Sequence, residues 1–178
     1  MTTWIALFRG VNVGRNNPLP MKTLAGLLTK LGFADVRTYL QSGNVVFKAN
    51  VESAAPLTAK IAAAVRKQVD FEPHLLLVTA DGLGRIVTGN PFAGACREPQ
   101  SLHVFFLASA PEKPDLAALK KLKSGSEKFV LDGSVFYMHA PDGFGNSKLA
   151  ARAEKLLGVE ATARNWRTVI ALQEMSQR

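Results

Sequence analysis

The sequence predicts an α+β fold made of two similar halves, each with the element order β-α-β-β-α-β. Short apolar runs typical of buried strands open the two halves, at residues 4–8 and 102–107. Each half then carries a tight-turn signal between two strand-like segments, at residues 42–44 and 132–133. A hairpin at that place argues against a doubly wound parallel sheet, in which a crossover helix joins the second and third strands. This element order is the ferredoxin-like one, and we expect the two halves to pack together.

The elements of the first half follow from apolar spacing and from helix-ending residues. Leucines three and four residues apart predict a helix that opens near Pro20, and Gly32 stands where a left-handed residue would end it. Alternating polarity predicts a strand at 36–41, with a hairpin partner directly after the turn. Ser53 is a candidate cap for the next helix, which leads to a buried-type strand at 74–79.

The second half repeats this series after a connecting segment, but its predicted end differs. A short helix at 81–87 leads into residues 88–100, where Gly, Asn and Pro interrupt every regular pattern. We therefore predict a first half at 1–87, a connection at 88–100 and a second half at 101–178, which ends in helices without an eighth strand. Its predicted elements are a strand at 102–107, a helix at 114–122, a hairpin at 128–138, a helix from Asn146 or Ser147 to Leu157 and a final helix at 165–175.

The composition excludes several classes of protein. The 178 residues hold one cysteine, Cys96, which excludes an internal disulfide and a multi-cysteine metal site and fits a reducing compartment. No apolar run reaches the length of a membrane span, and the N-terminus lacks the basic and apolar regions of a signal peptide. We expect a cytoplasmic protein with no membrane association, no metal and no cofactor.

Positive charge is concentrated near the N-terminus. The formal net charge is +8, and the first 50 residues hold six basic residues against one acidic residue, Asp35. A clustered excess of this kind raises the local concentration of anions such as phosphates and nucleic acids. The alternative is that the charge serves solubility alone.

Two polar segments are predicted to meet at one edge of the first sheet. In a ferredoxin-like unit the first two strands are parallel, so the loop after the first strand (9–17) and the turn after the second (41–44) lie at the same end. The N-terminus of the first helix, with its unpaired N–H groups, is expected at that edge too. Arginine forks, amide N–H groups and glycine backbone there predict an anion-binding site, although Gly and Asn are also ordinary turn residues. The candidate ligand-binding residues of this edge are Arg9, Asn12, Gly14, Arg15, Asn16, Asn17, Gln41, Ser42 and Asn44.

These segments carry a resemblance to a known bacterial family. Arg9-Gly10-Val11-Asn12-Val13-Gly14, Gly32-Phe33 and the run from Thr38 to Phe47 resemble the start of the domain-of-unknown-function family 1697. Thr162-Ala163-Arg164-Asn165-Trp166-Arg167-Thr168 resembles its C-terminal signature. The resemblance implies an α+β protein of cytoplasmic type and implies no particular reaction. Arg15 departs from the family pattern, which usually has a second glycine after Gly14.

The C-terminal motif adds three candidate site residues. Asn165 is a candidate cap of the last helix, with Thr162 as the alternative if the helix begins earlier, and Trp166 is expected to pack inward. Arg164 and Arg167 are three residues apart and are expected on one side. A capped and packed terminal helix accounts for the motif. The alternative is that Arg164, Asn165 and Arg167 complete the N-terminal edge.

Two hypotheses about function remain open at this point. The first is a protein that binds a phosphate-bearing or other anionic ligand, a nucleotide or nucleic acid, at the edge formed by 9–17 and 41–44. The alternative is an enzyme that acts on a small anionic metabolite through an unidentified acid or base. His74 and His103 lie in apolar strands, where a core role is expected, and no His or Cys spacing supports zinc. Binding that weakens steeply with salt favours the first hypothesis, and saturable stabilisation by one metabolite favours the second.

Overall fold

The chain divides into two units. The computed structural model describes residues 1–14, 16–51 and 53–178. The first unit comprises Met1–Arg85 together with Ala171–Arg178, and the second comprises Ile86–Ile170. The ranges drawn from the sequence do not anticipate that Ala171–Arg178 groups with the first unit.

The first unit contains a four-stranded antiparallel sheet. The strand order is β2-β3-β1-β4, and every neighbouring pair is antiparallel. This is the ferredoxin-like arrangement that the hairpin signal predicts, so the fold class is confirmed. Its elements are β1 (Thr2–Arg9), α1 (Met21–Lys30), β2 (Ala34–Tyr39), β3 (Asn44–Ala49), α2 (Ala54–Arg66) and β4 (His74–Thr79).

The continuous apolar run of β1 reflects its central place in this sheet. Neighbouring residues of the strand point to opposite faces, and Ile5 and Ala6 are both fully buried. Leu24 of α1 and Ile61 of α2 are also fully buried and share a core with Phe47 of β3. Each large side chain buried in this way contributes about 1.5–3 kcal/mol. This core fixes the sheet from whose edge the loop and the turn extend.

The second unit repeats the arrangement. Its strand order is β6-β7-β5-β8, which matches β2-β3-β1-β4 position by position. The two sheets therefore confirm the predicted duplication of the fold. After α3 (Ala80–Thr88), the elements are β5 (Leu102–Leu107), α4 (Leu116–Leu122), β6 (Lys128–Asp132), β7 (Val135–His139), α5 (Lys148–Leu157), β8 (Ala161–Asn165) and α6 (Trp166–Ser176).

The strand β8 corrects the expectation that the second half has no eighth strand. It pairs antiparallel with β5 along its whole length, from Asn165 opposite His103 to Ala161 opposite Leu107. Alanine and asparagine are depleted in strands, so local propensity gives little sign of it, and pairing with β5 determines the conformation. Each half therefore ends in a fourth strand followed by a helix.

Helix ends agree with the sequence in part. Gly32 has φ +85°, the left-handed conformation predicted after α1. Ser147, and not Asn146, caps α5, because its Oγ accepts from the N–H of Ala150 over 3.0 Å. Ser53 occupies the N-cap position of α2, but within the described residues its side chain makes no capping hydrogen bond.

The two histidines predicted to be core residues have different surroundings. His74 is exposed at the start of the edge strand β4, which corrects the expectation for this residue. His103 lies in the central strand β5, and its ring stacks on Phe144 with centroids 3.7 Å apart. Burial lowers the pKa of His103 to about 4. His103 is therefore a neutral packing residue near pH 7.

Candidate functional site

The loop after β1 and the turn after β2 lie side by side. The side-chain Nδ2 of Asn12 donates to the carbonyl oxygen of Gln41 over 2.7 Å. The prediction that residues 9–17 and 41–44 share one edge of the sheet is confirmed by this contact. We call these two segments together the rim.

Asn12 fastens the loop at more than one point. Its Nδ2 also donates to the carbonyl of Leu19 over 2.8 Å, and its Oδ1 accepts from the N–H of Leu19 over 2.7 Å. Asn12 has φ +55°, a left-handed conformation that asparagine tolerates better than most residues. Both amide hydrogens are committed, so Asn12 positions the rim rather than offering an N–H to a ligand. Because Leu19 closely precedes α1, the same bonds hold the start of α1 beside the rim.

The loop also closes on itself. The N–H of Asn12 donates to the carbonyl of Asn17 over 3.0 Å, and that of Asn16 donates to the carbonyl of Val13 over 3.0 Å. The Nδ2 of Asn17 reaches back to the carbonyl of Gly10 over 3.0 Å. Asn17, like Asn12, therefore shapes the loop from within.

One position in the turn requires glycine. The N–H of Phe8 donates to the carbonyl of Gly43 over 2.8 Å, which brings β1 and the turn together. Gly43 has φ +73°, and a Cβ there would lie 2.5 Å from Cβ of Phe8 and 2.6 Å from Cγ2 of Val11. Gly43 is missing from the predicted site residues, although its place in the Ser-Gly-Asn turn is a signal that glycine is needed.

Asn44 supports the turn from inside. It is fully buried, and its Nδ2 donates to the carbonyl of Tyr39 over 3.0 Å and to Oγ of Ser42 over 2.9 Å. A buried amide with these partners holds a carbonyl and a hydroxyl in place. Asn44 therefore orients Ser42 and has no surface for a ligand to contact.

The other predicted rim residues that the structure describes face solvent. Gly14 has φ +60° and exposes its backbone. Arg15 lies outside the described residues. Neither rim segment contains an acidic residue. The exposed polar positions of the rim are Arg9, Gly14, Asn16, Gln41 and Ser42.

Two apolar side chains stand among or beside these polar groups. Val13, within the loop, is 62% exposed, and Leu40, immediately before the turn, is 59% exposed. Leu40 also has φ +56°, a conformation that costs a leucine about 1–2 kcal/mol. Sequence reasoning missed both residues, since single apolar residues in a loop are an unspecific signal.

The charged side chains of the first 50 residues are mostly cationic. The only acidic residue of the first 50, Asp35, forms an ion pair with Lys48 over 2.5 Å. The hydrogen bond and charge of Lys48 lower the pKa of Asp35. Arg37 donates to the carbonyl of Met175 near the end of α6, whereas Lys22 is exposed in the first turn of α1. Lys22 and the positive end of the helix dipole therefore favour an anion at the start of α1.

The described part of the chain shows no group of three or more His, Cys, Asp or Glu side chains that could hold a metal ion. None of its helices combines the length and apolarity that a membrane crossing requires.

Comparison with known proteins gives the family of the chain. Residues 1–137 match the model of the family described as Protein of unknown function (DUF1697). The chain belongs to this family. The matched residues include both rim segments and end before the C-terminal motif at 162–168. A search of curated proteins finds no match.

The fold of this DUF1697 member is shared with a solved structure. It is similar to that of a conserved bacterial protein from Streptococcus pneumoniae, with a TM-score of 0.74 and 23% identity over 98% of each chain. At this identity the likeness shows the fold alone.

The C-terminal candidates lie in the second unit and have separate surroundings. Arg164 is buried in β8, where its guanidinium donates to Oγ1 of Thr162 over 2.8 Å and to the carbonyl of Ala163 over 2.9 Å. Burial lowers the pKa of Arg164 to about 10. Arg167 is exposed in α6, so the expectation that the two arginines face one side of a helix is wrong.

Asn165 has the capping role predicted for it. Its Oδ1 accepts from the N–H of Thr168 over 2.9 Å at the start of α6. Trp166 is buried, as expected. The capped and packed helix accounts for Asn165 and Trp166 without a ligand.

Proposed function

We propose that the rim binds a phosphate-bearing ligand, a nucleotide or nucleic acid. The observation that supports this most is the Asn12–Gln41 contact of 2.7 Å, because it joins a loop containing two arginines to a turn of hydroxyl and amide groups. Neither segment contributes a negative charge that would repel a phosphate. Proteins use such a combination of cation, polar side chains and helix N-terminus to bind phosphates.

The proposal divides the rim residues by role. Arg9 provides a guanidinium that forks onto two phosphate oxygens, and Asn16, Gln41 and Ser42 donate hydrogen bonds to the same or a neighbouring group. Gly14 allows the backbone to approach closely, since no side chain intervenes. The buried or committed amides keep these groups in place, so little ordering is required when the ligand binds.

Val13 and Leu40 favour an organic phosphate over a bare ion. Each leaves more than half of its side chain exposed. Contact between such apolar side chains and a sugar edge or a base adds to binding affinity. Inorganic phosphate has neither group and offers no such contact.

The test measures binding of nucleotides, phosphosugars and short and long single-stranded oligonucleotides at several salt concentrations. We expect the affinity to fall as the salt concentration rises. The Arg9→Ala variant should bind about tenfold more weakly than the parent, and its affinity should depend less steeply on salt. Affinity that grows with oligonucleotide length and falls in Arg9→Ala identifies nucleic acid as the ligand of the rim. Saturation by one mononucleotide that Arg9→Ala weakens identifies a small molecule.

The matched control is Lys30→Ala, which removes an exposed cation at the other end of α1. It should leave affinity unchanged while lowering the net charge by the same amount. Arg15→Ala is expected to weaken binding in the same direction as Arg9→Ala. If both arginine variants bind like the parent, the rim is not the binding site.

We also propose a cytoplasmic location. Cys96 is a free, half-buried thiol, which a reducing compartment keeps in that form. Fractionation of cells that produce the protein at native level tests this, and recovery with the membrane or exported fraction would contradict it.

A further inference from the structure

The second unit contains a cavity that the rim proposal does not use. It has a volume of about 600 Å³ and lies beside the short 3-10 turn Ala93–Arg97. Ligand pockets in proteins span about 300–1,000 Å³, so the cavity is large enough for a small organic molecule. The residues around it come from the segment before β5, the start of β6 and the end of β7.

The charged side chains around the cavity are mainly cationic. Arg97 and Lys128 are the basic side chains of the lining, and His139 is a half-buried hydrogen-bonding group. Lys128 and His139 stand directly opposite each other on β6 and β7. Among the described residues of the lining, Glu98 provides the one carboxylate. An anion between Lys128 and Arg97 is therefore attracted by two cations from different segments.

One wall of the cavity is aromatic. The rings of Phe92 and His139 lie 6.2 Å apart between centroids with an interplanar angle of 35°. Phe92 is half-buried, so part of its ring remains accessible to a ligand. An accessible ring of this kind binds a planar group by stacking, which contributes to affinity independently of charge.

The segment that carries Phe92 and Arg97 is held in a fixed shape. The N–H of Phe92 donates to Oδ1 of Asn90 over 2.9 Å, and the N–H of Ala95 donates to the carbonyl of Phe92 over 2.9 Å. Nδ2 of Asn90 contacts Sγ of Cys96 at 3.2 Å. These bonds form the cavity before a ligand arrives, which lowers the entropic cost of binding.

We propose that this cavity binds a planar ring that carries a phosphate group, with a nucleoside monophosphate as the representative ligand. The phosphate lies between Arg97 and Lys128, and the ring stacks on Phe92. The Glu98 carboxylate accepts hydrogen bonds from sugar hydroxyls or a ring amine, as acidic residues do for ribose in other nucleotide sites. This proposal rests on residues of the second unit and stands whether or not the rim binds phosphate.

The experiment titrates the full-length, isotope-labelled protein with adenosine monophosphate and follows NMR chemical shifts. We expect saturable shifts at Phe92, Arg97 and Lys128. Adenosine, ribose 5-phosphate and inorganic phosphate each lack part of the proposed ligand and should bind at least about tenfold more weakly.

Variants separate this site from general charge attraction. Lys128→Ala and Phe92→Ala should each weaken adenosine monophosphate binding by about tenfold. Lys120→Ala, which removes an exposed cation from α4 outside the cavity, should not change it. Because Phe92→Ala also removes packing, Phe92→Leu is measured beside it, and only a ring-dependent loss at unchanged melting temperature supports stacking.

Three results would overturn the proposal. One is the absence of saturable shifts at the cavity residues. Another is equal affinity for inorganic phosphate and adenosine monophosphate. The third is binding that Arg9→Ala abolishes and Lys128→Ala leaves intact, which would support the rim and reject the cavity. Loss of rim binding alone, with the cavity shifts retained, would reject only the proposed function of the rim.

Discussion

The side-chain amide of Asn12 donates to the carbonyl of Gln41 over 2.7 Å, although the two residues are 29 positions apart. The same amide group exchanges hydrogen bonds with Leu19 in both directions. A single left-handed asparagine therefore ties together the loop after β1, the turn after β2 and the start of α1. Asn12 therefore acts together with Asn17 and Asn44 in holding the shape of the rim.

Two substitutions of Asn12 separate the effect of its hydrogen bonds on stability from the effect of its backbone conformation. Asn12→Ala loses the side-chain bonds and places alanine at φ +55°, so we expect a loss of about 2–4 kcal/mol in the free energy of unfolding. Asn12→Gly loses the same bonds without the strain and should be about 1 kcal/mol more stable than Asn12→Ala. Urea denaturation measures both, and a glycine variant no more stable than the alanine variant would contradict the role given to backbone conformation.

Gly43 and Gly133 provide a matched pair, because they occupy corresponding turns in the two units. Both have positive φ, +73° and +53°, but a Cβ at Gly43 would lie 2.5 Å from Phe8, whereas Gly133 has open space. Gly133→Ala should cost about 1 kcal/mol, from conformation alone. Gly43→Ala should cost roughly 2–4 kcal/mol, since overpacking is added. Equal losses by thermal or urea denaturation would show that the turn relaxes without penalty.

Leu40 should tolerate a substitution that normally destabilises proteins. It has φ +56° and is 59% exposed, so Leu40→Gly relieves left-handed strain and exposes little new surface. We expect a gain of about 0.5–1 kcal/mol in the free energy of unfolding, after the greater chain entropy of glycine is subtracted. Leu116→Gly is the control, because Leu116, the first residue of α4, is 38% exposed and has no positive φ. It should lose about 0.5–1 kcal/mol, and the same sign of change at both positions would contradict the strain assigned to Leu40.

The fold was predictable where its signals are local. Gly32 and the Ser-Gly-Asn turn mark chain reversals by their own backbone preferences, and the hairpin between β2 and β3 fixes which strand ends meet. The strand β8 was not predictable in this way, because its conformation depends on pairing with β5, far away in the sequence.

The same distinction applies to the rim and the cavity. Topology predicts that the loop and the turn meet, but Asn16, which is exposed, and Asn44, which is buried, look alike in sequence. Their roles are set by carbonyl groups on other segments. Arg97, Lys128 and His139 come from three segments with no recognisable spacing, so sequence reasoning had no signal for the cavity.

Substitutions at Asn165 and Ser53 compare a helix cap whose side chain accepts a hydrogen bond with one whose side chain makes none in the described residues. Oδ1 of Asn165 accepts from the N–H of Thr168 over 2.9 Å, so Asn165→Ala should lower the free energy of unfolding by about 1 kcal/mol. Ser53→Ala removes a side chain that makes no capping bond in the described residues and should change stability by less than about 0.5 kcal/mol. Asn165→Asp keeps the acceptor and should recover most of the loss. Similar losses at both alanine variants would mean that the side-chain bond at Asn165 is not what stabilises α6.

His103 should make the protein sensitive to mild acid. Burial against Phe144 lowers its pKa from 6.5 to about 4 in the folded chain. At pH values between these two pKa values, the unfolded chain binds a proton at His103 and the folded chain does not. The free energy of unfolding therefore decreases as the pH falls through this window. Above 6.5 both states are neutral at this residue, and below about 4 both are protonated. The loss amounts to about 3 kcal/mol across the window, at 1.36 kcal/mol for each unit of pKa difference.

His103→Phe isolates this effect from the acid response of the carboxylates. Phenylalanine retains a ring that can stack on Phe144 and has no proton to gain. Urea denaturation at a series of pH values gives the free energy of unfolding of both proteins. As the pH falls from 6.5 to about 4, the difference between them should change in favour of the variant by about 3 kcal/mol. If the two proteins keep a constant difference across that range, the folded chain protonates His103 as readily as the unfolded chain does, and burial is not controlling its charge.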